Sequence, residues 1–320
     1  MAAVTLPRQP TVAGTAIALR DPWPWPVFEA LAREGEALGY RAVFLPEIGA
    51  RDSFAALAGL AGATSELLLG TGIVPMTSRR AELTAMGAAT VHERSGGRAI
   101  LGIGTGAPRA GALAELESQI GTIMAFLDAA QAGRDGPTLA LDRPVPIWIA
   151  ALGPRAVDLA GRVADGVLLN WCTPERVARA RVQVAEAAER AGRDPSAVAV
   201  AAYVRAAVSA DADDELARRA LARAAAEYAS YPAYRRQFES MGVGPAADAV
   251  AAAHASGREP SRDEVAPLLD AVCLSGSSAR AGLEAFREAG CDLPVVYPVA
   301  FGADGARSVA ETVRALAPTG

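Results

Sequence analysis

The chain has 320 residues, with 31 basic side chains against 36 acidic ones and a formal net charge of −5. This length accommodates a β/α barrel, which takes roughly 250 residues and tolerates insertions, so two domains are not required. The acidic balance leaves no basic stripe for a phosphate backbone and argues against nucleic acid as a partner, while 51% hydrophobic and only 5% aromatic residues supply an aliphatic, close-packed core.

Every basic residue is an arginine, and no lysine occurs anywhere in the chain. Schiff-base chemistry, an internal pyridoxal-phosphate linkage and a Walker-type lysine are thereby excluded. Cys172, Cys273 and Cys291 lie far apart, as do His92 and His254. No metal-ligand spacing results, and no metal is expected. Three thiols suit a reducing compartment, the opening MAAVTLPRQP lacks a basic stretch followed by an apolar run, and no apolar span approaches ~18 residues. A cytoplasmic protein without a membrane partner is expected.

Short continuous apolar runs, the pattern of strands buried on both faces, alternate with stripes of helical period. The runs are VAGTAIAL from Val12, AVFLP from Ala42, LLLGTGI from Leu67, RAILGIG from Arg98, VPIWIAA from Val145, DGVLLN from Asp165, VAVAAYVRAAV from Val198 and LPVVYPV from Leu293. The helical pattern from Val27 ends at Gly39, a left-handed C-terminal cap, and TPER at Thr173 opens another helix with a capping residue followed by proline. Eight strands with right-handed crossovers predict an α/β fold of the (β/α)8 TIM-barrel type, with an open doubly wound sheet as the alternative. The alternation breaks once, between Asp211 and Pro267, which predicts a helical insertion after strand 7 spanning 209–270 of a single 1–320 domain.

In such a barrel, chemistry sits at the C-terminal ends of the strands. The third and fourth strands each place Gly-Thr-Gly there, in ELLLGTGIVPM and RAILGIGTG. Glycines at a strand mouth let a flat ligand approach closely; tight turns are the plainer explanation. The fifth run continues as IAALGPRAVDLAGRVADG, where Gly153 and Pro154 open a helix whose first amides suit an anion. Trp23 and Trp25, in RDPWPWP, are candidate walls of a substrate pocket. Arg79, with Arg80, is a candidate for an anionic substrate or cofactor tail.

Taken together, EALGYRAVFLPE, LLLGTGIVPMTSR, TVHERSGGRAILGIGTG and PVPIWIAALGPRAVDLAGRVADGVLLNW resemble the luciferase-like monooxygenase family, in its branch of oxidoreductases that use the deazaflavin coenzyme F420. The likeness runs from Glu36 to Pro174, skips the insertion and resumes at GLEAFREAGCDLPVVYPV. It implies a TIM barrel that holds a deazaflavin ring, or FMN in the rival reading, against Thr71, Gly72, Ile73, Gly104 and Thr105. A non-prolyl cis peptide at Gly72–Ile73 would stand behind the ring. The phosphate would lie on amides at Leu152 and Gly153, with Ala151, Asn170, the only asparagine in the chain, and Trp171 as further cofactor contacts.

Two departures bear on mechanism. Glu47 is followed by Ile48 where many members carry histidine, and Ala107 stands where sugar-phosphate dehydrogenases of the branch carry glutamate. Glu47 is left as the candidate catalytic acid or base, with a salt bridge, for instance to Arg51, as its structural alternative. The resemblance thus implies an F420-dependent oxidoreductase acting on a small organic substrate. An FMN-dependent monooxygenase and a non-catalytic flavin-binding barrel are the alternatives. Family members commonly pair through the helices after the second and third strands, here DSFAALAGLAGATSE and ELTAMGAATVHERSGG, so a homodimer is expected.

Overall fold

The alternating runs become parallel strands and helices in the computed structural model, which describes residues 12–20, 23–107, 109–131, 139, 141–208 and 214–319. In chain order these are β1 (Ala16–Ala18), α1 (Trp25–Ala37), β2 (Ala42–Pro46), α2 (Ser53–Ala61), β3 (Leu68–Pro75), α3 (Ala81–Arg94), β4 (Ala99–Gly104) and α4 (Ala112–Gln131). There follow β5 (Ile147–Ala151), α5 (Pro154–Val163), β6 (Gly166–Asn170), α6 (Pro174–Arg190) and β7 (Ala199–Ala207). Four helices come next, α7 (Asp214–Ala229), α8 (Pro232–Ser240), α9 (Gly244–Ala255) and α10 (Arg262–Val272), then β8 (Cys273–Ser275), α11 (Ala279–Glu288), β9 (Leu293–Pro298) and α12 (Gly305–Ala315).

Strands β1 to β7 pair in sequence and in parallel, β7 pairs with β9, and β9 returns to β1, so eight strands close a barrel. Closure disposes of the open-sheet alternative. The ninth strand, β8, is an accessory. The β6 ladder on β7 ends at Asn170↔Tyr203, and β8 takes the vacated edge at Arg205–Ala207. Three residues are too few to register as a sequence run, and this strand exists because an edge was left free.

Residue alternation sorts the core into two layers. Ala16, Ala18, Phe44, Trp148 and Tyr203 point into the barrel, whereas Ile17, Val43, Leu69 and Ile149 face the helices. The interior is filled chiefly by Phe44 and Trp148, whose ring centroids lie 5.6 Å apart. Close approach requires glycine opposite both rings: a Cβ on Gly70 would come within 2.4 Å of Phe44, and one on Gly166 within 2.7 Å of Trp148. Local signals also act as their chemistry predicts. Gly39 has φ +85° just past α1, and the Thr173 side chain accepts from the Arg176 N–H at the start of α6.

The helices α7 to α10 pack on a second apolar cluster that includes Leu221, Phe238, Val250 and Leu268. Residues 209 to 213 of the expected insertion lie outside the described residues, as do the first eleven of the chain. His92, on α3 and remote from the strand mouths, is buried. No helix among the described residues is long and apolar enough to cross a membrane.

Candidate active site

The first Gly-Thr-Gly serves the barrel wall as much as its mouth. Between β3 and β4 the register shifts, Gly70 pairing with Ile100 but Val74 with Ile103, so β3 carries one extra residue. The Thr71 hydroxyl bridges that irregularity. It donates to the Gly102 carbonyl and accepts from the Gly102 N–H, each at 2.7 Å, and Thr71 is 1% exposed. Thr71 is therefore a ladder residue and not the cofactor contact expected of it. Gly72 reaches the mouth, where its carbonyl accepts from the Tyr203 hydroxyl at 2.8 Å and a Cβ would fall 1.9 Å from that oxygen. The Gly72–Ile73 bond, expected to be cis, is trans, and no cis peptide occurs among the described residues. The bulge and the Tyr203 contact set the path of the chain there.

A cleft of about 600 Å³ opens beside this bulge. Its floor is Gly72, Ile73, Gly104, Thr105 and Gly106 from β3, β4 and the residues after them, so the second Gly-Thr-Gly does face the cleft. One wall is Ala151, Leu152 and Gly153, leading into α5. Gly153 is the N-cap of that helix, with φ −93° and ψ 165° and no side-chain cap, and Pro154 occupies the first turn. The uncapped amides and the helix dipole favour an anion at this end. Arg176 steadies the turn by donating to the Leu152 carbonyl at 3.2 Å, and Arg109, Arg155 and Arg236 also line the cleft. Among the described lining residues there is no carboxylate and no histidine.

The opposite wall comes from the end of β6 and from the helices after β7. Asn170 lines the cleft, but both ends of its amide are engaged by protein. Its Oδ1 accepts from Arg205 at 2.8 Å, and its Nδ2 donates to the Tyr234 hydroxyl at 2.8 Å. Arginine has no acceptor atom, so the Arg205 contact fixes which way the amide points. Tyr234 thereby receives a hydrogen bond and keeps its own proton for the cleft that it lines. Burial holds the Tyr234 and Tyr203 hydroxyls neutral by raising both well above the usual tyrosine range.

Trp171, expected beside the cofactor, points the other way. It has φ +50°, the one positive φ outside glycine among the described residues, and its ring is sealed into the cluster of α7 to α10 against Phe238 and Tyr228. Gln237 of α8 donates to the carbonyls of both Asn170 and Trp171, at 2.7 and 2.5 Å, and sustains this unusual turn.

Four other expected site residues are engaged outside the cleft. Glu47 is not among its lining residues. Its carboxylate accepts from the Ser53 N–H and hydroxyl at 3.2 and 2.9 Å, and from Arg79 Nε at 3.1 Å. That occupancy suits a structural anchor and not an acid or base at the mouth, and the partner is Arg79 instead of Arg51. Arg79 also pairs with Asp52 and lies over the Phe54 ring, so no free guanidinium remains for substrate. Trp25 sits in the first turn of α1, donates to Glu29 at 2.9 Å and packs where a Cβ on Gly59 would touch its ring. Trp23 lines a second cavity of about 250 Å³ at the same end of the barrel, with Arg205 and Tyr297. Sequence reading missed Arg205, Tyr203 and Tyr234. Only the position of Arg205 near the end of β7 offered a signal; Tyr203 sits in the middle of that strand, and Tyr234 belongs to a segment with no motif.

The closed parallel barrel, with a glycine-floored cleft at its strand ends and an uncapped helix N-terminus beside it, defines an α/β-barrel protein with its open cleft at the C-terminal ends of the strands. The sequence pattern of the luciferase-like monooxygenases matches residues 2–114 and 122–293, and the chain belongs to that family. It is 34% identical over 199 residues to the 5,10-methylenetetrahydromethanopterin reductase of Methanolobus tindarius, an alignment covering 57% of this chain and 61% of that relative's length. Among solved structures, the coenzyme F420 dependent tetrahydromethanopterin reductase from Methanopyrus kandleri superimposes with a TM-score of 0.74 at 21% identity, over 95% of this chain and 98% of the other. The FMN complex of the oxygenating constituent of 3,6-diketocamphane monooxygenase from Pseudomonas putida gives 0.68 at 17% identity, over 96% and 99%. At these identities the superpositions establish the barrel fold alone.

Proposed function

We propose that the chain is an oxidoreductase that binds a deazaflavin of the F420 type in the larger cleft and acts on a small organic substrate. The observation that carries this reading is the joining, in one cleft, of a glycine floor to the uncapped start of α5. The residues fit such a group. Gly104, Thr105 and Gly106 leave room for a flat ring, the α5 amides and Arg155 suit its phosphate, and Arg236 suits further negative charge, whereas Arg109 is already paired with Glu115 at 2.6 Å. The kinship to a methanopterin reductase over three fifths of that protein, together with the shared fold of a coenzyme F420 dependent tetrahydromethanopterin reductase, supports the choice of deazaflavin.

The bound cofactor would supply hydride transfer, and the protein supplies orientation and polarity. Tyr203 holds the bulged end of β3 through the Gly72 carbonyl and so sets the height of the floor. The Tyr234 hydroxyl, oriented through Asn170, is a neutral donor at the cleft wall and can stabilise developing negative charge on an oxygen or ring atom. No carboxylate lines the cleft among the described residues, so the proton donors available there are hydroxyls and water.

FMN is the second reading, favoured by the FMN-bearing barrel of the same shape. Titrating the purified protein with FMN and with the deazaflavin, followed by fluorescence, separates the two: tighter deazaflavin binding and substrate-dependent bleaching are expected. Retention of either cofactor without any turnover would leave a binding barrel. A homodimer belongs to the proposal, supported by Leu83 and Met86, which stand 53% and 51% exposed on α3. A reducing, cytoplasmic setting is supported by the unpaired Cys172, Cys273 and Cys291.

A further inference from the structure

Arg205 is the feature that the larger cleft leaves unexplained. It lies near the end of β7, is 3% exposed, and is ringed by aromatic faces. Its guanidinium carbon is 3.8 Å from the Tyr297 ring centroid, 4.7 Å from that of Trp171, 5.4 Å from Tyr228 and 5.7 Å from Tyr203. Its one hydrogen bond to a described residue runs to Asn170, and no carboxylate lies within salt-bridge distance among the described residues. The rings offset part of the cost of burying a cation, but a buried guanidinium ordinarily has an anionic partner. Its remaining donors are not sealed in protein, for Arg205 lines the cavity of about 250 Å³.

That cavity has an apolar body, with Leu19, Trp23, Tyr297, Val309 and Ala224 of α7 on its walls. Arg20 lines its outer part, and Arg20 and Glu227 both act electrostatically on the Tyr297 hydroxyl. The Tyr203 and Tyr297 rings, 5.2 Å apart, stand between this cavity, lined by Tyr297, and the larger cleft, lined by Tyr203.

We infer that the smaller cavity binds a small molecule with an apolar body and a single carboxylate, the carboxylate seated on Arg205. The guanidinium fork matches a carboxylate in shape. One buried cation balances one negative charge, whereas a phosphate dianion would be left with charge in excess. Through Asn170 the same arginine orients the Tyr234 hydroxyl, so the carboxylate seat and the donor of the larger cleft share one hydrogen-bonded chain. That the carboxylate compound is the substrate rests on the proposed function; that it binds at Arg205 does not.

The test is calorimetric titration with benzoate and its neutral near-isostere benzamide. Benzoate should bind saturably and at least tenfold tighter than benzamide, the size of one charge-assisted hydrogen bond. Arg205→Met should lose benzoate binding at least tenfold. Ala224→Leu, which narrows the cavity from α7 and leaves the guanidinium in place, should do the same. Gly153→Val, at the anion end of the larger cleft, should not weaken benzoate. Absence of saturation, equal affinity for benzamide, or retained benzoate binding in a folded Arg205→Met or Ala224→Leu protein would overturn the inference. So would a loss confined to Gly153→Val. If Arg205→Met does not fold, Ala224→Leu and the benzamide comparison decide. Cofactor titration runs alongside: failure of both FMN and deazaflavin to bind, with benzoate binding intact, defeats the proposed function and leaves the carboxylate site standing.

Discussion

Replacing Gly153 with valine isolates the anion end of the cleft from the stability of the barrel. Glycine at a helix start often signals a backbone that only glycine can adopt, but Gly153 has φ −93° and ψ 165°, which valine adopts freely. A Cβ built there meets nothing within 4 Å. Valine is a poorer N-cap than glycine, a loss of about 1 kcal/mol at most, and in a chain of this size that lowers the melting temperature by only about 2 °C. The new side chain occupies space over the first amides of α5 that a phosphate would use. Losing one charge-assisted hydrogen bond of about 1.5–3 kcal/mol weakens cofactor binding at least tenfold, and losing two weakens it more than a hundredfold. Fluorescence titration with both cofactors beside a circular-dichroism melt measures the two effects separately. Unchanged affinity in a well-folded variant would remove the phosphate from this turn, and a melting temperature lowered by ten degrees would show that the glycine serves the fold.

Thr71→Val keeps the shape of the side chain but leaves the Gly102 N–H and carbonyl without their partner; a loss of about 2–4 kcal/mol is expected in urea unfolding, and a loss under 1 kcal/mol would deny the bridge its role. His92 is buried, and burial first, with the charge of Arg143 adding to it, pushes its pKa down from 6.5 to about 4. Because the unfolded chain takes up a proton that the folded one refuses, stability falls as pH drops from 6.5 towards 4, by roughly 2 kcal/mol between pH 7 and pH 5. His92→Gln should lack that increment, and parallel pH profiles of wild type and variant would contradict it. Leu83→Arg with Met86→Arg should shift the mass measured by light scattering from dimer to monomer; a wild-type protein that is already monomeric at micromolar concentration refutes the dimer.

The barrel was legible because its signals are local. Runs such as AVFLP and IWIAA are apolar throughout since both faces of a parallel strand are covered, and TPER and Gly39 begin and end elements by hydrogen bonds that span a few residues. The glycine turn before α5 was equally readable, because a helix start and its free amides are encoded within five residues.

Where each side chain points at the barrel mouth was decided by tertiary structure. Thr71 looked like a ligand contact until the extra residue in β3 turned its hydroxyl onto Gly102. Glu47 looked like an acid or base until Ser53 and Arg79 closed on it from α2 and from the residues after β3. Arg205 had only its strand-end position to recommend it. Its site is made by Asn170 of β6, Tyr297 of β9 and Tyr228 of α7, residues 35, 92 and 23 positions away, and no pattern along one chain records a meeting of that range. Sequence period sets which face of a strand is buried; what a residue meets there depends on register, bulges and insertions, which only the closed fold determines.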